Sequence, residues 1–315
     1  MIDTIAPPVA APPSTQRPRP PKRPRNGEAR IALSFISPSL AFFVVFWALP
    51  LIATIGYSMT SWRVGSDPEW IGLDNYFALA SDPLFHRSVA ASLTISVGAS
   101  VVSLAIALGL AAVLAQPAIR GGRLWRLAII LPVVTDWVAT GLVFQLIFLP
   151  NQGVLASLAA SVGAEALINV PWVSDRTLAP IAVSIFIIWK QTGLYTIFFF
   201  AGIRSIPDDV IEAARLDGAS AWAVFWRIRW PMMKPITVFV VVTAFVTTLG
   251  LFEPVFMLTG GGPAGETRTL PIFLYENFFS FGNSGYASAA GVVFLLISLA
   301  FALVASRMLK ESYES

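Results

Sequence analysis

Residues 89–116 read VAASLTISVGASVVSLAIALGLAAVLAQ, from Val89 to Gln116, without one charged side chain. A bilayer hydrocarbon core about 30 Å thick takes about 20 apolar residues per helical crossing, and this run exceeds that length. Working outward, five further stretches meet it, at approximately 32–58, 125–149, 179–203, 235–259 and 287–308. The fourth and fifth of the six carry internal charges, so their edges are the least sharply drawn. Composition agrees with the pattern: 56% of the 315 residues are hydrophobic, 12% are charged, and the mean hydropathy is +0.72. Soluble domains carry about 25% charged residues. The sequence therefore predicts an all-α, polytopic membrane protein with six transmembrane helices.

The basic residues orient it. With both termini on one side, that side holds Arg17, Arg19, Lys22, Arg23, Arg25, Arg30, Arg120, Arg123, Arg126, Arg204, Arg215, Arg227, Arg229, Lys234, Arg307 and Lys310. The opposite side holds Arg63, Arg87, Arg176 and Arg268. Positively charged loops stay in the cytoplasm, which predicts cytoplasmic termini and a multi-pass placement in a bacterial inner membrane. The net charge of +3 arises from this bias and from a basic tail, so it does not point to nucleic acid. Absence of cysteine excludes disulfides, thiolate metal sites and cysteine nucleophiles, and one histidine, His86, makes a histidine metal centre untenable.

Residues 1–30 read as a disordered, proline-rich cytoplasmic tail, too poor in large apolar groups to offset the entropy of ordering. The transmembrane domain spans 31–310, and 311–315 form a second short cytoplasmic tail. The outward connections, near 60–88, 150–178 and 260–286, are long; the first mixes Trp62, Asp67, Glu69, Trp70, Asp74 and Asp82, as a folded, partner-facing loop would. There is no GxxxxGK[ST] phosphate loop, so the chain is not expected to hydrolyse ATP itself.

The inward connection at 204–234 is long for a turn. Pro207 followed by Asp208 and Asp209 starts a helix: proline suits its first turn and the acids complement its positive end. Ile211, Ala214 and Leu216 make this short helix amphipathic, Gly218 interrupts it, and 219–229 form a second helix before Pro231. Small alanine faces would let another protein approach closely.

Here the sequence resembles the permease family of ABC importers, whose hallmark is EAA, three residues, G, nine residues, then I-x-L-P. This chain has Glu212-Ala213-Ala214, Gly218, and Ile228-Arg229-Trp230-Pro231, with tryptophan for leucine. Leu258-Thr259-Gly260-Gly261-Gly262-Pro263 and Trp189-Lys190-Gln191 further resemble the carbohydrate permeases of the maltose and glycerol-3-phosphate type. The resemblance covers roughly 32–310. It implies a coupling helix in which Glu212, Ala213, Ala214, Asp217, Gly218 and Ala219 meet an ATP-binding subunit. It also implies the rest of the importer: two ATP-binding subunits, which hold the ATP and magnesium, a second related permease forming a heterodimer, and an extracytoplasmic solute-binding protein. No cofactor is expected in this chain.

Ionisable residues inside a bilayer cost several kcal/mol and face a bundle interior or a water-filled cavity. Asp136, Lys190 and Glu253 are the candidates, with Asp136 near the middle of the third span, Lys190 near the middle of the fourth and Glu253 toward the outer end of the fifth. Lys190 either lines a solute path or pairs structurally with Asp136. By resemblance Lys190, Gln191, Leu194, Thr247, Thr248 and Leu251 occupy sugar-contacting positions. Thr243, Thr247, Gly250 and Pro254 share a helical face that suits either close helix packing or a polar cavity wall. Trp137, Trp189, Phe252 and Phe256 could stack on sugar rings or simply pack. No catalytic constellation and no metal-ligating set emerges. The function this supports is the permease subunit of an ATP-driven, binding-protein-dependent importer for a sugar or sugar-like solute. The rivals are a permease for glycerol-phosphate, an amino acid or a peptide, an independent secondary transporter, and a membrane enzyme.

Overall fold

The computed structural model describes residues 26–116 and 121–314. Among them every element is helical, apart from one antiparallel bridge between Thr60 and Trp70. The expectations for the proline-rich tail up to residue 25, for Arg120 and for Ser315 lie outside the described residues.

The chain divides at Ile52 into two units. The first contains α1 (Asn26–Phe43), a π-helical turn (Val44–Ala48) and the start of α2 (Leu49–Tyr57). Phe35, Phe42, Phe46 and Trp47 are exposed along it, and Phe42 packs on Phe46 at 4.5 Å.

The second unit begins with the end of α2 and an outer loop that is folded, as its composition predicts. Ser61 N–H donates to Glu69 C=O at 2.9 Å, and Asn75 Nδ2 ties the carbonyls of Ser58 and Thr60 at 2.9 and 2.8 Å. Helix α3 (Asp74–Ser81) leads to Asp82, which caps α4 (Pro83–Leu114) by accepting from Leu84 N–H at 2.8 Å. Proline in the first turn of α4 loses no hydrogen bond there.

Helix α4 owes its packing to small residues. Ser88, Ser92, Ser96, Ala99, Ser100, Ser103, Ala107 and Ala111 recur every three or four positions and are all buried. In a lipid environment helix association relies on close backbone approach and hydrogen bonds, and such a stripe supplies both. It packs on α8 (Leu178–Arg204), introduced below after the broken pair that precedes it in the chain.

That pair is α5 (Gly122–Val134) and α6 (Trp137–Ile147), bent by 99° at Thr135-Asp136. Next come α7 (Val154–Ser161), a single 3₁₀ turn at Glu165–Leu167, and α8 itself. The inward connection forms α9 (Asp208–Leu216), α10 (Ala221–Val224), a π-helical turn (Phe225–Arg229) and α11 (Trp230–Met232). A 71° bend at Met233 turns the chain into α12 (Lys234–Leu249). Then follow α13 (Glu253–Leu258), α14 (Leu270–Tyr275), a π-helical turn (Glu276–Ser280) and α15 (Ser284–Glu314).

Four single helices are long and apolar enough to cross a membrane: Ser34–Tyr57, Pro83–Leu114, Leu178–Arg204 and Ser284–Val304. Counting each bent pair as one span gives up to six, the number read from sequence, although the second pair joins Ala221–Met232 of the inward connection to Lys234–Leu249 and so begins before the 235–259 stretch. Two stretches differ in form from that reading. The third is not one rod, because Asp136 starts a new helix where α5 ends. The fifth stops at Leu249; Gly250 and the two residues after it turn the chain before Glu253 and Pro254 begin α13. The proposed stripe of Thr243, Thr247, Gly250 and Pro254 is cut by that turn, and Pro254 is buried beyond it.

Candidate functional site

The break between α5 and α6 leaves the last carbonyls of α5 without helical partners, at a depth where water is scarce. Lys190, on α8, answers them. Its ammonium donates to Pro132 C=O at 3.0 Å, to Thr135 C=O at 2.5 Å and to Thr135 Oγ1 at 3.0 Å. It also lies 4.8 Å from the centre of the Trp137 ring. A cation at a helix C-terminus complements the negative end of the dipole. Each hydrogen bond to a charged group contributes roughly 1.5–3 kcal/mol, and each buried carbonyl left bare would cost roughly 1–3 kcal/mol. Asp136 caps the other side of the break, accepting from Ala139 N–H at 2.9 Å. Lys190 borders the cavity described next, and its hydrogen bonds go to two carbonyls and one hydroxyl of the break rather than to Asp136, which acts on it through space. Gly193, one turn further along α8, lets α5 come close, since a Cβ there would collide with the Ile129 carbonyl oxygen.

Beside the break is a cavity of 450 Å³ lined by Val133, Trp137, Lys190, Gln191, Leu194, Tyr195, Val246, Thr247, Gly250 and Leu251. Five of the six residues placed by resemblance at sugar-contacting positions come together here from two distant segments: Lys190, Gln191, Leu194, Thr247 and Leu251. Thr248 stands behind the wall, 3% exposed, donating to Gln191 Oε1 at 2.9 Å and accepting from Ser100 Oγ at 3.3 Å. Tyr195 OH donates to the same Gln191 oxygen at 2.7 Å and lies 3.3 Å from Thr247 Oγ1. Tyr195 thus holds the Gln191 oxygen, with Thr248, which also reaches Ala244 C=O at 2.7 Å, on its other side, and Gln191 lines the cavity. Asp136 and Glu253 are not among the lining residues: Asp136 is an exposed cap at the break, and Glu253 begins α13 past the turn. Tyr195 escaped the sequence reading, though it stands four residues after Gln191 and hence on the same helical face. Of the four aromatics offered for stacking, Trp137 reaches the cavity; Trp189 packs on Phe144 at 5.2 Å, and Phe252 stacks on Phe256 at 4.8 Å.

At the other candidate site, α9 begins after Pro207 with Asp208 and Asp209 in its first turn, as the sequence predicts. It ends in a Schellman closure: Ala219 N–H bonds Ala214 C=O and Gly218 N–H bonds Arg215 C=O, both at 3.0 Å. Gly218 has φ +83°, and a Cβ there would meet nothing within 4 Å. Within the chain, glycine is thus required here by backbone conformation, in keeping with its place as the interruption between two helices. Ser220 accepts from Ala223 N–H at 3.2 Å and starts the second helix. Ile211 is buried against the apolar cluster of α8 and α12, with Ala214 and Ala219 packed beside it. Leu216, expected on that face, points away and is 89% exposed. Glu212, Ala213, Asp217 and Gly218 are exposed as well. A polar cleft behind the element is lined by Arg204, Asp208, Glu212, Arg215 and Arg229.

The family described as "Binding-protein-dependent transport system inner membrane component" matches residues 104–310, a span that holds both sites. The chain belongs to that family. It resembles the probable ABC transporter permease protein YurN of Bacillus subtilis, with 32% identity over 291 residues, 92% of this chain and 99% of the relative. The lactose transport system permease protein LacF of Rhizobium radiobacter is 32% identical over 268 residues, 84% of this chain and 88% of the relative. A chain from the crystal structure of a bacterial alginate ABC transporter, in complex with alginate pentasaccharide-bound periplasmic protein, shares the fold. Its TM-score is 0.78 at 20% identity, over 90% of this chain and 94% of that one. The protein is accordingly a multi-pass, inner-membrane permease component of a binding-protein-dependent ABC system, and the EAA-type loop at 212–231 is the coupling motif of this permease family.

Proposed function

We propose that this permease subunit forms half of the path by which a carbohydrate enters the cytoplasm, driven by ATP hydrolysed on partner subunits. The observation that carries the reading is the 450 Å³ cavity, in which Gln191, Tyr195 and Thr247 present amide and hydroxyl groups beside the Trp137 ring. Carbohydrate recognition needs that pairing of fixed polar groups with apolar walls. Relatives named for lactose, diacetylchitobiose and multiple sugars support the solute class.

The remaining assembly follows from the same reading. Two ATP-binding subunits, carrying the ATP and magnesium, dock on α9 and α10 through Glu212, Ala213, Ala214, Asp217, Gly218 and Ala219. A second, related permease closes the open side of the cavity, because the exposed break at Asp136 belongs against protein or water rather than lipid. The solute-binding protein docks on the outer loops, and both termini face the cytoplasm. Closure of the ATPases moves the α9–α10 element, the spans open outward, and hydrolysis resets them. Binding energy at each end biases a two-state equilibrium.

The test is ATP-dependent uptake of labelled lactose, maltose and diacetylchitobiose by vesicles carrying the complete system. Uptake should occur with at least one sugar and cease in Glu212→Lys while the chain remains in the membrane. Uptake that persists after ATP depletion would overturn the importer reading.

A further inference from the structure

Within the carbohydrate reading just given, on which this step rests, we infer that Lys190 is a positioning residue that locks the broken third span, and that the cavity takes an uncharged solute. An ammonium has three protons to donate and no acceptor capacity. The three acceptors at Pro132 C=O, Thr135 C=O and Thr135 Oγ1 match that number, all within 3.0 Å. Lys190 is 2% exposed, its ammonium is hydrogen-bonded to the break, and the residue borders the cavity. Its charge is opposed by Asp136 and faced by the Trp137 ring. No other lining residue carries a formal charge, since Val133, Trp137, Gln191, Leu194, Tyr195, Val246, Thr247, Gly250 and Leu251 are all neutral.

Within this chain's half of the cavity an anionic solute finds no charged donor with a free proton, because the Lys190 ammonium is engaged at the break. Transfer of an unpaired carboxylate into a low-dielectric site is strongly unfavourable. A hydroxyl-bearing neutral solute meets the opposite situation. Gln191 offers amide N–H donors, because its oxygen is already held by Tyr195 and Thr248. The hydroxyl oxygens of Tyr195 and Thr247, whose protons go to Gln191 Oε1 and Thr243 C=O, stand beside it to accept from solute hydroxyls. The arrangement separates two roles that adjacent positions on α8 carry: Lys190 fixes where the break lies, and Gln191 reads the solute.

The absence of cysteine permits a direct test. Leu194→Cys places one thiol in the cavity of the complete importer reconstituted in proteoliposomes, and its reaction with anionic and cationic methanethiosulfonates is timed. With Lys190 fully engaged, the ratio of the two rates should lie within about threefold of that of a small free thiol. Adding Thr135→Val removes one acceptor, frees one ammonium proton, and should shift the ratio toward the anionic reagent by about threefold or more. A bias of about tenfold toward the anionic reagent before that change would put the ammonium in the cavity and overturn the lock. Maltose, lactose and diacetylchitobiose form the neutral ligand panel, with a uronate disaccharide as the anionic probe. At least one neutral sugar should slow labelling while the uronate does not; equal protection by the uronate overturns the neutral-solute conclusion. If no carbohydrate protects and none is taken up with ATP, the carbohydrate reading falls and the neutral sugar with it. The rate ratio still decides the place of Lys190.

Discussion

Gly193 and Gly218 are both glycines at functional elements, yet they are held to glycine by different physics, and substitution separates them. At 193 an added methyl group would strike the Ile129 carbonyl oxygen and come within 2.9 Å of Val133 Cγ2, so α5 would have to move away from α8. Gly193→Ala should therefore lower stability by about 1–3 kcal/mol, the usual range for overpacking, and shift the thermal transition of the detergent-solubilised chain downward. At 218 the space is open and only the left-handed backbone is at stake. Gly218→Ala should cost about 1–2 kcal/mol, confined to the Schellman closure, and show as faster amide exchange at Ala219 rather than as global loss. Tyr195→Phe is a third case at this scale. It removes a hydroxyl bonded to Gln191 and adjacent to Thr247, a loss of about 1 kcal/mol, and it leaves the Gln191 oxygen held by Thr248 alone. Solute uptake should fall more than melting temperature does; a large melt shift with uptake intact would make Tyr195 a packing residue only.

The element from α9 to α11 shows how much of a site can be read along a chain. Its first helix start and its interrupting glycine are local signals that appear where the sequence puts them, whereas the second helix, expected to end before Pro231, runs on through Pro231 to Met232. Local capping and proline rules need no knowledge of distant residues, which is why they transfer. Leu216 did not transfer, because which side of a nine-residue helix is covered depends on its neighbours. Here Ile211 takes the buried position and Leu216 the exposed one. Exposed Leu216 and Trp222, at 89% and 73%, form an apolar tip suited to the cleft of another subunit. Leu216→Glu should leave the stability of the isolated chain within about 0.5 kcal/mol, as exposed substitutions do, yet reduce the amount of ATPase that copurifies with it. Undiminished copurification would remove Leu216 from the contact.

For the molecule as a whole, hydropathy found the stretches able to cross a membrane but neither the break in the third nor the turn at Gly250 in the fifth, and for the third the reason is range. The stretch from 125 to 149 is apolar on both sides of Asp136, and what stabilises its interruption is Lys190, more than fifty residues further along the chain. A windowed reading sees length and composition, whereas a break in lipid depends on who satisfies its carbonyls. The cavity was legible in half: the residues were found by resemblance, and their convergence required the packing of α5, α8 and α12. Orientation is the remaining global property, and it rests on the asymmetry of basic residues between the two sets of loops. Two exposed positions test it. Val64, in the outer loop, and Trp222, in the coupling element, are 63% and 73% exposed, so in cells expressing this chain without ATP-binding subunits burial will not limit the reactivity of a cysteine at either. In spheroplasts treated with a membrane-impermeant maleimide, Val64→Cys should label at once and Trp222→Cys only after permeabilisation. The reverse pattern would invert the topology, put the coupling element outside, and deprive ATP of any contact with this chain.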